Sequence, residues 1–427
     1  MNIQAPPGVF DILPISKELW KSSHLWAWVE KIMREIAKEY VLQEIRTPIF
    51  EKTELFTRVV GETSDIVTKE MYSFIDRGDR SLTLRPEGTA PVIRAFLEQH
   101  LSDYPSSYRL FYIGPMFRYE RSQAGRYRQH HQIGVELLGS SAPETDAELI
   151  DMAYSLYNKL GIKNLSISIN SIGNRKCRNE YKEALKSFLK SHLSLLSKDS
   201  QTRFEKNPLR ILDSKATEDK EIVSKAPSIL EFLDQESKQH FDQTISCLKD
   251  LGIPFAINPL LVRGLDYYNK TVFEIVSTNL GAQNSIGGGG RYDGLIKELG
   301  GPDLCSCGFG TGIERILQAL IAQNGYLPDS LKPTLFLIPL TEAAKKACFF
   351  IQKSLRQSEI AVQMDYSGKK LNKLMSLANQ IGDKYVAVIG EDELSSGSVK
   401  LKDMHTGTST TVLIHALSEI LKGFSHV

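Results

Sequence analysis

The stretch Gly308-Phe309-Gly310-Thr311-Gly312-Ile313-Glu314-Arg315 narrows the possible folds of this chain more than any other. Glycine at every second residue makes a strand against which something large can lie flat. The run 316–323 that follows reads as a helix, with Arg315 at its start able to stack on that ligand or pair with it. The plainer reading is a strand bent by its glycines against neighbouring backbone. A second tract, 287–290, leads into Arg291-Tyr292-Asp293-Gly294; it admits close backbone approach to a ligand, or is simply a flexible loop. No Lys-Ser/Thr pair follows the glycines, so neither tract is a P-loop. The G-x-G-x-x-G spacing of a dinucleotide fold is absent as well.

The rest of the chain bounds what such a site can belong to. With 427 residues there is material for two or three domains. A hydrophobic share of 41% beside 24% charged residues excludes a disordered chain. Lys and Arg total 52 against 51 acids, so any polyanion must be met by a local arrangement rather than by the overall field. Residues 1–13 lack a basic stretch followed by an apolar core, so no secretory signal is expected. No apolar run reaches the roughly 18 residues of a membrane span. The five cysteines are scattered, and Cys305 and Cys307 form a lone C-x-C with no second pair, which argues against zinc and for reduced thiols in the cytosol.

Periodicity gives the organisation. Trp20, Trp26, Val29, Ile32, Met33, Ile36 and Tyr40 predict a long amphipathic helix over 16–40. Extended runs at 44–48, 73–75, 82–84, 108–117 and 131–138, each beside turn residues, predict antiparallel hairpins. A second helix is expected over 147–160. From about 173 to 250 the chain turns charged and helical, and strand-like sequence resumes at 260–263 and 271–276, so this segment reads as an insertion. Pro328 and Pro333 flank a polar link, beyond which strands and helices alternate in a small mixed α/β domain. The expected division is 1–327, carrying the insertion at 173–258, and 328–427.

Three more segments bear chemistry. Between residues 108 and 128 stand Arg109, Arg118, Arg121, Arg126 and Arg128 against the single acid Glu120. A forked, permanently charged guanidinium at a strand end suits a phosphate, while a solvated basic hairpin has the same composition. Leu84-Arg85-Pro86-Glu87-Gly88-Thr89 offers a carboxylate and a hydroxyl to an ammonium group, or is an ordinary turn. Leu261-Val262-Arg263-Gly264-Leu265-Asp266-Tyr267-Tyr268 can orient a polar ring beside a fixed cation, or can end a hairpin whose rings cover a core.

In their order along the chain these segments resemble the class II aminoacyl-tRNA synthetases. Arg46-Thr47-Pro48 after a long helix is similar to their dimer-forming motif 1, Phe117-Arg118-Tyr119-Glu120 to motif 2, and the stretch 308–315 to motif 3. The segments 261–268, 84–89 and 289–294 narrow the resemblance to the histidyl-tRNA synthetase family. It covers nearly the whole chain. It implies an α+β fold: a catalytic domain on an antiparallel sheet, interrupted by a helical insertion, and a C-terminal mixed α/β anticodon-binding domain. It also implies activation of L-histidine by ATP, taken with Mg2+, and transfer of the histidyl group to tRNA(His). A homodimer in the cytoplasm follows, with no tightly bound cofactor, no protein metal site and no membrane.

By the same resemblance, Arg118 meets the α-phosphate and the histidine carboxylate, and Arg263 stabilises charge growing on the α-phosphate. Arg315 holds the adenine and γ-phosphate end of a bent ATP, with Glu120 and Arg126 among the ATP contacts. Glu87, Thr89 and Gln132 take the α-ammonium. Glu136 and Tyr268 read the imidazole nitrogens, and Tyr267 lines the pocket. The loop from Arg121 to Arg126, Gln123 included, meets the acceptor end of the tRNA. One departure is His130, which stands where the family commonly has a phenylalanine stacked on adenine. The synthetase-like regulatory subunit of ATP phosphoribosyltransferase shares much of the pattern but usually lacks the C-terminal domain and the arginine motif present here at Arg263.

Overall fold

The computed structural model describes residues 3–61, 64–103, 107–120, 125–280, 284–330 and 332–423. They form two compact units, 1–328 and 329–427.

The first unit opens on helix α1 (Ser23–Glu39), whose buried stripe Leu25, Trp26, Val29, Met33, Ile36 and Ala37 follows the helical period. The helix starts later than the periodicity predicts. A 3₁₀ turn at Leu19–Lys21 precedes it, and Leu13 pins the approach by pairing with Lys21 O at 3.0 Å and accepting from Ser23 N at 2.8 Å. There follow β1 (Gln43–Glu44), β2 (Phe50–Lys52), α2 (Thr53–Val60), β3 (Tyr72–Ile75), β4 (Ser81–Leu84), α3 (Thr89–Glu98), β5 (Tyr108–Phe117), β6 (Gln129–Leu138), α4 (Pro143–Lys159) and β7 (Leu165–Ser171). The extended run expected at 44–48 pairs only through β1. Helix α4 begins four residues before the predicted 147, because Pro143 occupies its first turn, where a missing N–H costs nothing.

Between β7 and the next strands lie α5 (Arg175–Lys190), α6 (Lys198–Lys206), α7 (Thr217–Val223) and α8 (Gln235–Asp250). The unit closes with β8 (Ala256–Ile257), β9 (Asn269–Ser277), β10 (Ser285–Arg291), α9 (Leu295–Glu298), β11 (Ser306–Gly312) and α10 (Ile313–Ala322). Residues 260–263, expected as a strand, are irregular chain. Their backbone is held by side chains instead of a ladder, as described below.

Eight strands make the main sheet in the order β1-β5-β6-β11-β10-β9-β7-β8, antiparallel except at its two ends. A separate antiparallel sheet, β2-β4-β3, carries the turn into α3. Residues opposite one another across antiparallel strands share a face. On one face of the main sheet Phe111, Ile133, Val135, Phe309, Phe273 and Ile275 join α1, α4 and α10 in a buried core. On the other face, register aligns Gly134 with Gly310, Gly310 with Gly288, and Gly308 with Gly290. The middle of that face is glycine, with Gln132 and Glu136 of β6 on either side of Gly134, while Leu110, Tyr112 and Val272 at its flanks join a second core.

The second unit contains β12 (Leu335–Pro339), α11 (Glu342–Gln357), β13 (Val362–Met364), α12 (Leu371–Ile381), β14 (Tyr385–Ile389), α13 (Glu391–Ser396), β15 (Ser398–Asp403), β16 (Ser409–Leu413) and α14 (Leu417–Gly423). Its sheet runs β13-β12-β14-β15-β16, parallel over the first three strands and antiparallel after them. Short α13 is an addition to the predicted elements. Apolar clusters cover both faces of this sheet, as a strand flanked by helices requires.

Candidate active site

The glycine face of the main sheet floors a cleft of about 250 Å3. Glycine is needed there for room. A Cβ on Gly288 would lie 2.7 Å from both Phe273 O and the Arg263 guanidinium, and one on Gly308 would strike the Glu136 carboxylate and come within 2.6 Å of Val135 O.

Three guanidiniums border this floor. Arg118, just past β5, donates from Nε to Pro86 O at 2.8 Å, which fixes its stem and leaves the terminal nitrogens toward the cleft. Arg263 comes from the irregular loop and reaches Glu274 Oε1 at 3.5 Å, while its buried Nε has no partner among the described residues. Arg315, in the first turn of α10, donates to Gln318 Oε1 at 2.9 Å; its Nη2 is likewise buried and unpartnered among the described residues. Burial lowers the Arg315 pKa, which raises the worth of an anion brought against it.

At one end of the cleft stands a polar pocket. Glu87 lies in the turn between β4 and α3 and accepts the Thr89 and Ala90 N–H groups, each at 2.8 Å. These occupy one position on each carboxylate oxygen and leave others for a ligand. Burial raises the Glu87 pKa. Thr89 Oγ1 donates to Glu136 Oε1 at 2.8 Å, and the Tyr292 hydroxyl donates to Glu136 Oε2. Glu136 is 1% exposed, and this burial pushes its pKa up to about 8. Gln132 Nε2 donates to the Tyr112 hydroxyl at 2.9 Å, which aims the amide across the floor. Tyr267 and Tyr268 pack against each other with ring centroids 4.7 Å apart.

Thus Glu87, Thr89, Arg118, Gln132, Arg263, Tyr267, Tyr268 and Arg315 line one cleft. His130 lines it too, and burial first, then Arg118, pushes its pKa down to about 3, so its ring is neutral. Glu136 is set behind the lining, reached through Thr89 and Tyr292. Glu120 and Arg126 pair with each other at 3.1 Å and border an adjoining cleft, with Arg118 between the two spaces. Arg121 and Gln123 lie outside the described residues.

Sequence reasoning gave no role to two tyrosines here. Tyr112 fits where it does because Gly88 and Gly134 hold no Cβ, which would collide with its ring from either side. Its signal was a hydroxyl in phase with apolar Leu110 and Met116 on the same strand face. Tyr292 sat in a quoted motif without a task. Its neighbour Arg291, 0% exposed, pairs with Asp146 at 2.7 Å, and Asp146 also binds His240 at 2.6 Å, so that residue ties β10 to α4 and α8.

The family model for histidyl-tRNA synthetase matches residues 21–316, and one for an anticodon-binding domain matches 334–423. The chain is 60% identical over 423 residues to the histidine–tRNA ligase of Protochlamydia amoebophila, covering 99% of this chain and 100% of that one. The chain belongs to the histidyl-tRNA synthetase family. Its likeness to the histidine–tRNA ligase of Geobacillus sp. is 47% over 425 residues, with 99% of each chain covered. Among solved structures, apo histidyl-tRNA synthetase of S. aureus superposes with a TM-score of 0.82 at 38% identity, over 99% of this chain and 100% of that one. The α+β architecture described above is therefore the family's class II synthetase fold.

Proposed function

We infer that the protein is a histidine–tRNA ligase, which activates L-histidine with ATP and passes the histidyl group to the 3' end of tRNA(His). The observation that carries this reading is the convergence of Arg118, Arg263 and Arg315 on a glycine floor that ends in a buried polar pocket.

Adenylate formation brings a carboxylate onto a phosphate that is itself negative, so charge repulsion dominates the barrier. Arg118 and Arg263, held beside the floor, offset that repulsion without moving during the reaction; each such fixed group is worth on the order of 3 kcal/mol. Arg315 at the far end takes the outer phosphates or the adenine face of a folded nucleotide. Magnesium enters as part of the MgATP substrate and adds charge neutralisation at the phosphates. No group of three or more His, Cys, Asp or Glu able to hold a metal occurs among the described residues.

Glu87, with its remaining acceptor positions, receives the α-ammonium together with Thr89 and Gln132. Tyr268 and Glu136 read the imidazole, Tyr267 closes the pocket, and Tyr112 and Tyr292 orient Gln132 and Glu136. A receptor with buried polar groups rejects analogues that lack the matching partner by about 10⁴ or more. Glu120 and Arg126, at the adjoining cleft, are among the ATP contacts, and the loop with Arg121 and Gln123 receives the tRNA acceptor end. The C-terminal unit takes the anticodon, and the chain works as a homodimer in the cytoplasm. No helix is long and apolar enough to cross a membrane among the described residues.

ATP–pyrophosphate exchange measured with each amino acid in turn tests the reading. Histidine alone should support exchange. Exchange with another amino acid but not histidine would overturn it.

A further inference from the structure

The irregular segment 258–268 carries Arg263, Tyr267 and Tyr268, yet among the described residues no backbone–backbone hydrogen bond joins 262–268 to any other part of the chain. A misplacement of about 1 Å in a catalytic group costs roughly 100-fold in rate, so something else must fix this segment. Two side chains do. Asn170 on β7 is fully buried and donates from Nδ2 to Pro259 O at 3.2 Å and Leu261 O at 3.0 Å. Arg178 on α5 donates from Nη1 to Asp266 O at 3.0 Å and Tyr268 O at 2.9 Å.

The two clamps differ in origin. Asn170 belongs to the sheet, whereas Arg178 reaches in from the first helix of the inserted segment. One nitrogen holding the carbonyls of residues 266 and 268 fixes the peptide unit before Tyr267 and the one after Tyr268, and so brackets the backbone that carries the two rings. The positive charge strengthens both bonds.

We propose that Arg178 is a positioning residue for the amino-acid pocket, through which the helical insertion sets the geometry of Tyr267 and Tyr268. The proposal rests on the ligase reading above. It touches no nucleotide: Arg315, Gly288 and Gly310 are held by the sheet and α10. Histidine and ATP should therefore respond differently to its loss.

Steady-state exchange on the full-length protein decides this, with active sites counted by the burst of adenylate formation. Histidine-dependent exchange by the unaltered protein is measured first; its absence would remove the ligase reading itself and is distinct from any outcome with the variants. In Arg178→Ala the KM for histidine is expected to rise about tenfold, the loss of two net hydrogen bonds, with the KM for ATP unchanged. Arg178→Lys, whose ammonium can donate to both carbonyls, should restore most of the histidine affinity. Loss of kcat alone in step with the count of active sites, or an equal rise of both KM values, would mean simple support of the fold and overturn the proposal. Should Arg178→Ala not fold, Arg178→Gln, which keeps a donor, decides by the same ratio: a histidine-selective rise supports the proposal, and unchanged values overturn it.

Discussion

Arg263 presents a guanidinium whose Nε is buried without a partner among the described residues and whose ion pair with Glu274 is long at 3.5 Å. Such a group is held for a ligand more than for the fold. Arg263→Ala is therefore expected to lower histidine-dependent exchange by about 100-fold or more while the thermal melt stays within a few degrees; near-normal exchange would remove its catalytic role. Glu136 makes the opposite case. Its burial raises the folded-state pKa to about 8, above the value in an unfolded chain, so the folded state binds the extra proton. The stability this group contributes is then fully present below the ordinary carboxylate range and is lost as pH rises through about 8, with a slope of at most about 1.4 kcal/mol per pH unit. Denaturant titrations between pH 5 and 9 should show this fall, shallower in Glu136→Gln. Both residues were legible in the sequence as to kind. That Glu136 lies behind the lining was not, because burial depends on which chains cross in front of it, here those of Thr89 and Tyr292.

For single elements, the hairpin β5–β6 and the glycine strand β11 were readable because apolar alternation and turn residues are local signals. The segment 260–263 misled for the same reason: Leu-Leu-Val-Arg has strand composition, but the Leu261 carbonyl is taken by the side chain of Asn170, a residue far off in the chain. The glycine floor yields a pair of contrasting expectations. In Gly288→Ala the new methyl meets backbone, Phe273 O at 2.7 Å, so the sheet must shift; a loss of about 1–3 kcal/mol is expected from overpacking. In Gly310→Ala the methyl meets only the end of the Gln132 side chain. Stability should then change by less than about 1 kcal/mol, while the KM for histidine rises as Gln132 is pushed aside. Thermal melts and exchange kinetics on the two variants separate these outcomes, and equal destabilisation would contradict the assignment of that face.

Over the whole molecule, every residue assigned to the cleft lies within 1–328, and the second unit has its own sheet and cores. A chain ending at 328 is expected to keep exchange within about tenfold and to lose most tRNA charging, the share that anticodon contacts contribute to holding a polyanion. Exchange assayed beside charging of tRNA(His) checks this, and parallel loss of both would tie the second unit to the chemistry. The larger plan of the catalytic unit was the least visible in the sequence, since strand order is set by contacts between distant segments. It has a consequence for how the protein is made. In a chain growing from its N-terminus, β6 emerges early, but its neighbour on one side, β11, comes only after four insertion helices and the four strands of the sheet's other half. Throughout that interval β6 is an exposed border with unsatisfied amides, open to pairing with another nascent chain. The last strand to leave the ribosome in this unit is the one that closes the middle of its sheet.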